Sequence, residues 1–389
     1  MKENNSRADF QKFVIKLAVF MLPFIFIFCF SSFVLMVSGE LTPIDRVIEE
    51  QNQTDRQIYL GLAYSDPTRS YKIRSLVLRR PEFVILGTSR TTQFRSSFIV
   101  SPKKFYNASK AIARVTHLRR FLDSIPIGCE PRVIVLGLDQ YFFSPRWENL
   151  KEVEAVSAYP SKQNWLDILQ YGYFKVPDDF LKGKFSLNDL LRRRNNRIGI
   201  NAVVNGNGLR NDGSYYYARE IREIDNSDKN YDYRFRNTIE LVNGGGYRFE
   251  YSSEILKGAI EELDLFLREC KSRSIYVVAF LPPYPHVVYE KIAAMKDKYA
   301  YIIKLGTTLQ SIFPKYGYQL YDFSDLAVTG ASDKEMIDGL HTSEKASLRI
   351  FIRMSLKNKT LRKYVDVGNL KKELNASNNY YSVIYDEEL

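Results

Sequence analysis

The chain has 389 residues, a formal net charge of +11, three cysteines and three histidines. The positive balance implies affinity for anionic surfaces, acidic lipid or acidic glycan. So few Cys and His, at no metal-ligand spacing, exclude a structural zinc site, and no sequence motif for a cofactor is present.

In chain order, the first feature is an uncharged apolar run over residues 17–37. At about 1.5 Å per residue it spans roughly 30 Å, the thickness of a hydrocarbon core. Lys2, Arg7, Lys12 and Lys16 precede it, and Glu40, Asp45, Glu49 and Glu50 follow. That asymmetry predicts a single-pass membrane anchor over residues 1–40, with a cytoplasmic amino terminus and an extracytoplasmic body. Val37-Ser38-Gly39 offers a signal-peptide cut as the competing reading, but the run is long for a signal sequence. An exported body has no nucleic-acid partner. A juxtamembrane segment, 41–80, contains helical stretches at 44–53 and 70–78.

From 81 to 360 the pattern alternates. Apolar runs at 83–86, 104–107, 132–138, 275–281 and 318–322 read as strands. Helical spacing marks 115–125, 256–270, 287–298, 300–313 and 344–356. This alternation predicts an α/β domain with a mainly parallel five-stranded sheet and helices on both faces. An insertion at about 145–250 interrupts it. There, Tyr215, Tyr216, Tyr217, Tyr231, Tyr233, Arg234, Phe235 and Arg236 either stack on sugar rings or form a small aromatic core. Arg192, Arg193 and Arg194 make the densest basic cluster, a solvated face or an anion patch. Gly244-Gly245-Gly246 lacks a following Lys-Ser/Thr and is a turn, not a phosphate loop. Cys129 and Cys270 either pair or fill the core. Residues 361–389 form a polar, loosely held tail.

In parallel sheets, ligands gather beyond the carboxyl ends of the strands. Ser89 (in Gly87-Thr88-Ser89-Arg90), Asp139 (in Gly137-Leu138-Asp139-Gln140) and the stretch leading to Asp338-Gly339-Leu340-His341 all follow such ends. Serine becomes a nucleophile when an imidazole takes its proton and a carboxylate fixes the imidazole. His341, three residues after Asp338, is the candidate base. His117 falls on an amphipathic helix and is expected at the surface. His286 follows a strand end and is a candidate substrate contact. Arg90 either binds an anionic substrate group or bridges a loop.

The ordered set of strand–Gly-Thr-Ser-Arg, strand–Gly-Leu-Asp and Asp-x-x-His before a final helix resembles the SGNH/GDSL hydrolase superfamily. It is closest to the membrane-anchored bacterial envelope branch that modifies polysaccharides. The resemblance covers about residues 83–356. It implies a three-layer α/β/α fold with sheet order 2-1-3-4-5, Ser89 as nucleophile, His341 as base and Asp338 as its orienter. The Ser89 N–H would form part of an oxyanion hole. Two positions depart from the family pattern: no glycine occurs in Asn107-Ala108-Ser109-Lys110, and Asp139 stands where the family has an Asn donor. An ionised carboxylate donates no hydrogen bond, which leaves Asn107, Ser109 or Gln140 as substitutes. The implied function is a serine esterase or O-acyltransferase on acyl (acetyl) esters of an envelope polysaccharide or other acylated glycan. The alternative is a polysaccharide-binding scaffold that assists a membrane-bound acyltransferase.

Overall fold

The computed structural model describes residues 2–148, 150 and 171–383. Five strands form the central sheet: β1 (Phe83–Gly87), β2 (Phe105–Ser109), β3 (Val133–Gly137), β4 (Tyr276–Leu281) and β5 (Gln319–Asp322). All pairs are parallel, in the order β2-β1-β3-β4-β5. Each expected strand is present, its ends displaced by two residues at most.

The strands are apolar throughout because both faces are covered. Val84, Leu86, Ile134, Leu136, Val277 and Ala279 pack with Ile73, Leu76, Leu118, Phe121, Leu263, Phe266 and Leu309. Those partners come from the helices Thr68–Arg79, His117–Asp123, Lys257–Ser272 and Ala300–Gln310. On the other face, Phe83, Ile85, Val133, Val135, Val278 and Phe280 pack with Leu348, Phe351 and Met354 of the helix Glu344–Lys357. Ser343 starts that helix, its hydroxyl accepting from the Ala346 N–H at 3.2 Å, as an N-cap serine does.

Three expectations need correction. Residues 41–80 are no separate juxtamembrane piece. Tyr59–Leu60 pairs with Arg197–Ile198 and Gly208–Leu209, and the last pairs with Tyr215–Tyr216, so this stretch shares a small sheet with the insertion. Two-residue strands are too short to show an alternating pattern. The tail is also docked: the helix Val367–Ala376 buries Leu370 and Leu374, and Val383 follows them into the Phe351 cluster. Finally, His117 is 8% exposed, not a surface residue. The rest of the insertion reading at 151–170, and residues 384–389 of the tail, lie outside the described residues. Cys129 and Cys270 are both buried in the core as free thiols.

At the amino terminus, Asp9–Ser38 is long and apolar enough to cross a membrane. Near its carboxyl end it meets the helix Tyr173–Leu181. Phe28 stacks on Tyr173 with ring centroids 5.0 Å apart, and Phe30 meets Phe180 edge-on at 5.1 Å. Ser31 Oγ donates to the Tyr173 carbonyl at 2.8 Å and Ser32 Oγ to the Tyr173 hydroxyl at 3.1 Å. The two serines of the apolar run therefore have protein partners. Glu40, just beyond, accepts from the Ala63 and Ile200 N–H groups and ties this end to the small sheet.

Candidate active site

The carboxyl ends of β1, β2 and β3 lie level, since Gly87 pairs with Ser109 and Leu86 with Leu136. Immediately after β1 the chain turns into a short 3-10 segment, Ser89–Thr91. Gly137 gives that turn room: a Cβ there would meet Thr91 Cγ2 at 2.3 Å. A larger residue at the end of β3 would push the serine turn off the sheet.

The far-downstream loop arrives at the same place. His341 Nε2 lies 2.8 Å from Ser89 Oγ, and His341 Nδ1 lies 2.8 Å from Asp338 Oδ2. With Nδ1 protonated toward the carboxylate, Nε2 is left to accept the serine proton. Asp338 is itself fixed: its Oδ1 accepts from the Leu340 and His341 N–H groups, both at 2.8 Å. Burial pushes the Asp338 carboxyl up, but the imidazole and these backbone donors outweigh it and hold it below the ordinary carboxylate value. Gly339, between the two, donates to Asp232 Oδ2 at 2.9 Å. A side chain at 339 would collide with Thr238 Oγ1 at 2.1 Å, so the loop needs glycine there.

The structure brings Ser89, Asp338 and His341 together, and commits most of the remaining predicted residues to other work. Arg90 is 2% exposed. Its guanidinium donates to Asp139 Oδ1 (3.0 Å), Gln140 Oε1 (2.8 Å), the Pro282 and Pro283 carbonyls (3.0 and 2.8 Å) and Leu340 O (3.1 Å). It also lies over the Tyr284 ring. Arg90 thus clips the loops after β1, β3 and β4 to the histidine loop and is not open to substrate. Asp139 also accepts from Thr88 Oγ1 at 2.6 Å, so its buried charge is matched on both oxygens. Here is the physical reason for the aspartate: it is the partner of Arg90, not an oxyanion donor.

Asn107 turns inward as well, its amide donating to the Thr91 and Phe94 carbonyls while its oxygen accepts from the Ser109 N–H. Gln140 donates to Pro282 O and Ser324 Oγ. Of the groups expected to serve the oxyanion, the Ser89 N–H and the buried Ser109 hydroxyl are the ones left uncommitted. His286 is on the surface, 47% exposed at the side chain, paired with Asp325 at 3.0 Å. That aspartate raises its pKa, and it takes no part in the serine site.

Ser89 opens into a cleft of about 480 Å³ lined by Asp66, Arg69, Lys110, Tyr141, Trp147 and Arg248 among others. A second cavity of about 440 Å³ shares Asp66, Pro67, Thr68 and Lys110 as its wall. Tyr217 sits 5.7 Å from the His341 ring and within 3.4 Å of Thr92 Oγ1. Sequence reading singled out Tyr217 as an aromatic that stacks on sugar rings or fills a small core, and missed Lys110, Trp147, Asp232 and Arg248. Of the missed residues only Lys110 carried a signal, since it follows the end of β2 as Ser89 follows β1. The others lie on the insertion, whose irregular chain has no period to place them.

Comparison with family models, curated proteins and solved structures returns no match for this chain.

Proposed function

We propose that this chain is a membrane-anchored serine esterase or O-acyltransferase of SGNH type, acting on acyl (acetyl) esters of an envelope glycan. The reading takes the two covered sheet faces as a three-layer α/β/α arrangement, and Asp9–Ser38 as an anchor that holds the body outside the cytoplasm. The observation that carries it is the continuous Ser89–His341–Asp338 relay, two hydrogen bonds of 2.8 Å each. In this mechanism Ser89 Oγ attacks the ester carbonyl as its proton passes to His341 Nε2. The proton then goes to the departing sugar oxygen, leaving an acyl-serine. Water or another sugar hydroxyl, deprotonated by the same imidazole, attacks the acyl carbon and frees the serine.

The oxyanion has few donors. Losing the equivalent of one costs about 3 kcal/mol of transition-state stabilisation, a factor of roughly 10²–10³ in rate. A slow enzyme is therefore expected. That shortage also favours the second reading, an SGNH-fold polysaccharide-binding protein assisting a membrane-bound acyltransferase. Ser89→Ala separates the two. The enzyme reading requires loss of esterase activity on a small aryl acetate with glycan binding kept. Wild-type protein that binds glycan and hydrolyses no ester supports the scaffold.

A further inference from the structure

We propose that the ligand of the Ser89 cleft carries an anionic group, carboxylate or phosphate, gripped by Lys110 and Arg248. The inference takes this cleft as the ligand site, as the esterase reading does, but does not depend on turnover.

Lys110 is the first residue beyond β2. Because Gly87 and Ser109 are register partners, it stands beside Thr88 and Ser89 at the sheet's edge. Its side chain lines both the Ser89 cleft and the adjoining cavity. Its backbone lies in the left-handed region, φ 65°, a conformation that costs a non-glycine residue roughly 1 kcal/mol. Arg248 lines the same cleft and has φ 66°. Two strained cations facing one serine indicate that the charges, not backbone ease, determine these positions.

Neither cation has an ion-pair partner among the described residues. The Lys110 ammonium lies over the Tyr215 ring at 5.0 Å, with no hydrogen bond and no carboxylate within ion-pair distance. Asp66, the one carboxylate among the described residues of the cleft wall, accepts from the Thr68 N–H. Arg248 stacks over Tyr141, Trp147 and Tyr247, and its buried Nε makes no hydrogen bond. Burial works against its charge, but Tyr141, Tyr247 and Asp139 outweigh that and raise its pKa. Burial also lowers the Lys110 pKa, and the Asp66 carboxylate offsets this only in part. A ligand anion supplies the ion-pair partner that both lack, and charge-assisted bonds in a part-buried cleft are strong ones. The Trp147 and Tyr141 rings beside Arg248 offer an apolar wall for a sugar face.

The test measures binding to full-length Ser89→Ala protein in detergent, so that no chemistry intervenes. Oligogalacturonate, a neutral oligogalactose of equal length and a phosphorylated oligosaccharide with its neutral parent are the probes. The expected result is at least tenfold tighter binding of an acidic probe than of its neutral counterpart, weakening with salt. Whichever acidic arm binds identifies the anion as carboxylate or phosphate. Adding Lys110→Gln or Arg248→Gln is expected to remove about tenfold each. Lys110→Gly, which relieves the backbone, should lose binding at an equal or higher Tm, and so separates recognition from folding. Equal affinity for acidic and neutral probes, or unchanged binding in folded Lys110→Gly, overturns the proposal. Preserved anion binding in a chain whose Ser89 hydrolyses nothing overturns the esterase reading alone.

Discussion

At the scale of single residues, the relay's imidazole lies within hydrogen-bonding distance of both its partners. Asp338 carries the burden of orienting it, and its depressed pKa keeps it ionised through the neutral and mildly acid range. Asp338→Asn is expected to lower esterase activity by roughly 10³–10⁴-fold, because an amide favours the wrong imidazole tautomer. Steady-state rates on an aryl acetate check this; a loss under tenfold contradicts it. His117 yields a second prediction, on stability. Burial, reinforced by Arg69, Arg120 and Arg114, lowers its pKa from 6.5 to about 4. The unfolded chain therefore takes up this proton first as pH falls, and stability declines between 6.5 and about 4. A shift of that size corresponds to on the order of 3 kcal/mol. Urea midpoints measured from pH 7 to 4 should fall for the wild type and flatten for His117→Gln.

At the scale of elements, the Arg90 clip explains how three strand-end loops and the histidine loop share one geometry. Breaking a buried ion pair from one side leaves a bare charge and costs about 3–5 kcal/mol. Arg90→Ala should therefore destabilise by that much, visible as a lowered urea midpoint, and a change under 1 kcal/mol would show the clip to be idle. Strands and long helices were legible because β1, β3 and β4 are unbroken apolar runs and the helix Lys257–Ser272 repeats Leu263, Phe266, Leu267 and Cys270 on one buried face. Ser89 and Asp338/His341 were legible because the rule about strand ends needs only topology. The role of Asp139 was not. Its partner Arg90 lies 49 residues away, and no local pattern says which way a carboxylate turns. His117 was misplaced because one polar residue on a helix looks the same whether it faces water or a neighbouring Ala113 N–H.

At the scale of the whole molecule, the chain closes on itself from both ends. The tail seals the face opposite the large helices: Leu361, Val365, Leu370, Leu374 and Val383 are each under 10% exposed. Removing residues 361–389 deletes these buried side chains and uncovers the Phe351 cluster they pack on, and at about 1.5–3 kcal/mol per buried aliphatic side chain the expected loss is about 5 kcal/mol or more. An unchanged urea midpoint in the truncated protein would contradict that docking. The same closure brings Ser89 and His341, 252 residues apart, into one hydrogen bond, and the functional account depends on that bond. Its most direct test is a serine-reactive fluorophosphonate on the full-length protein, with the adduct located by peptide mass spectrometry. One adduct is expected, on Ser89, absent in Ser89→Ala and slowed at least a hundredfold in His341→Gln. Folded wild-type protein with no adduct on Ser89, or labelling at the same rate without His341, would contradict it.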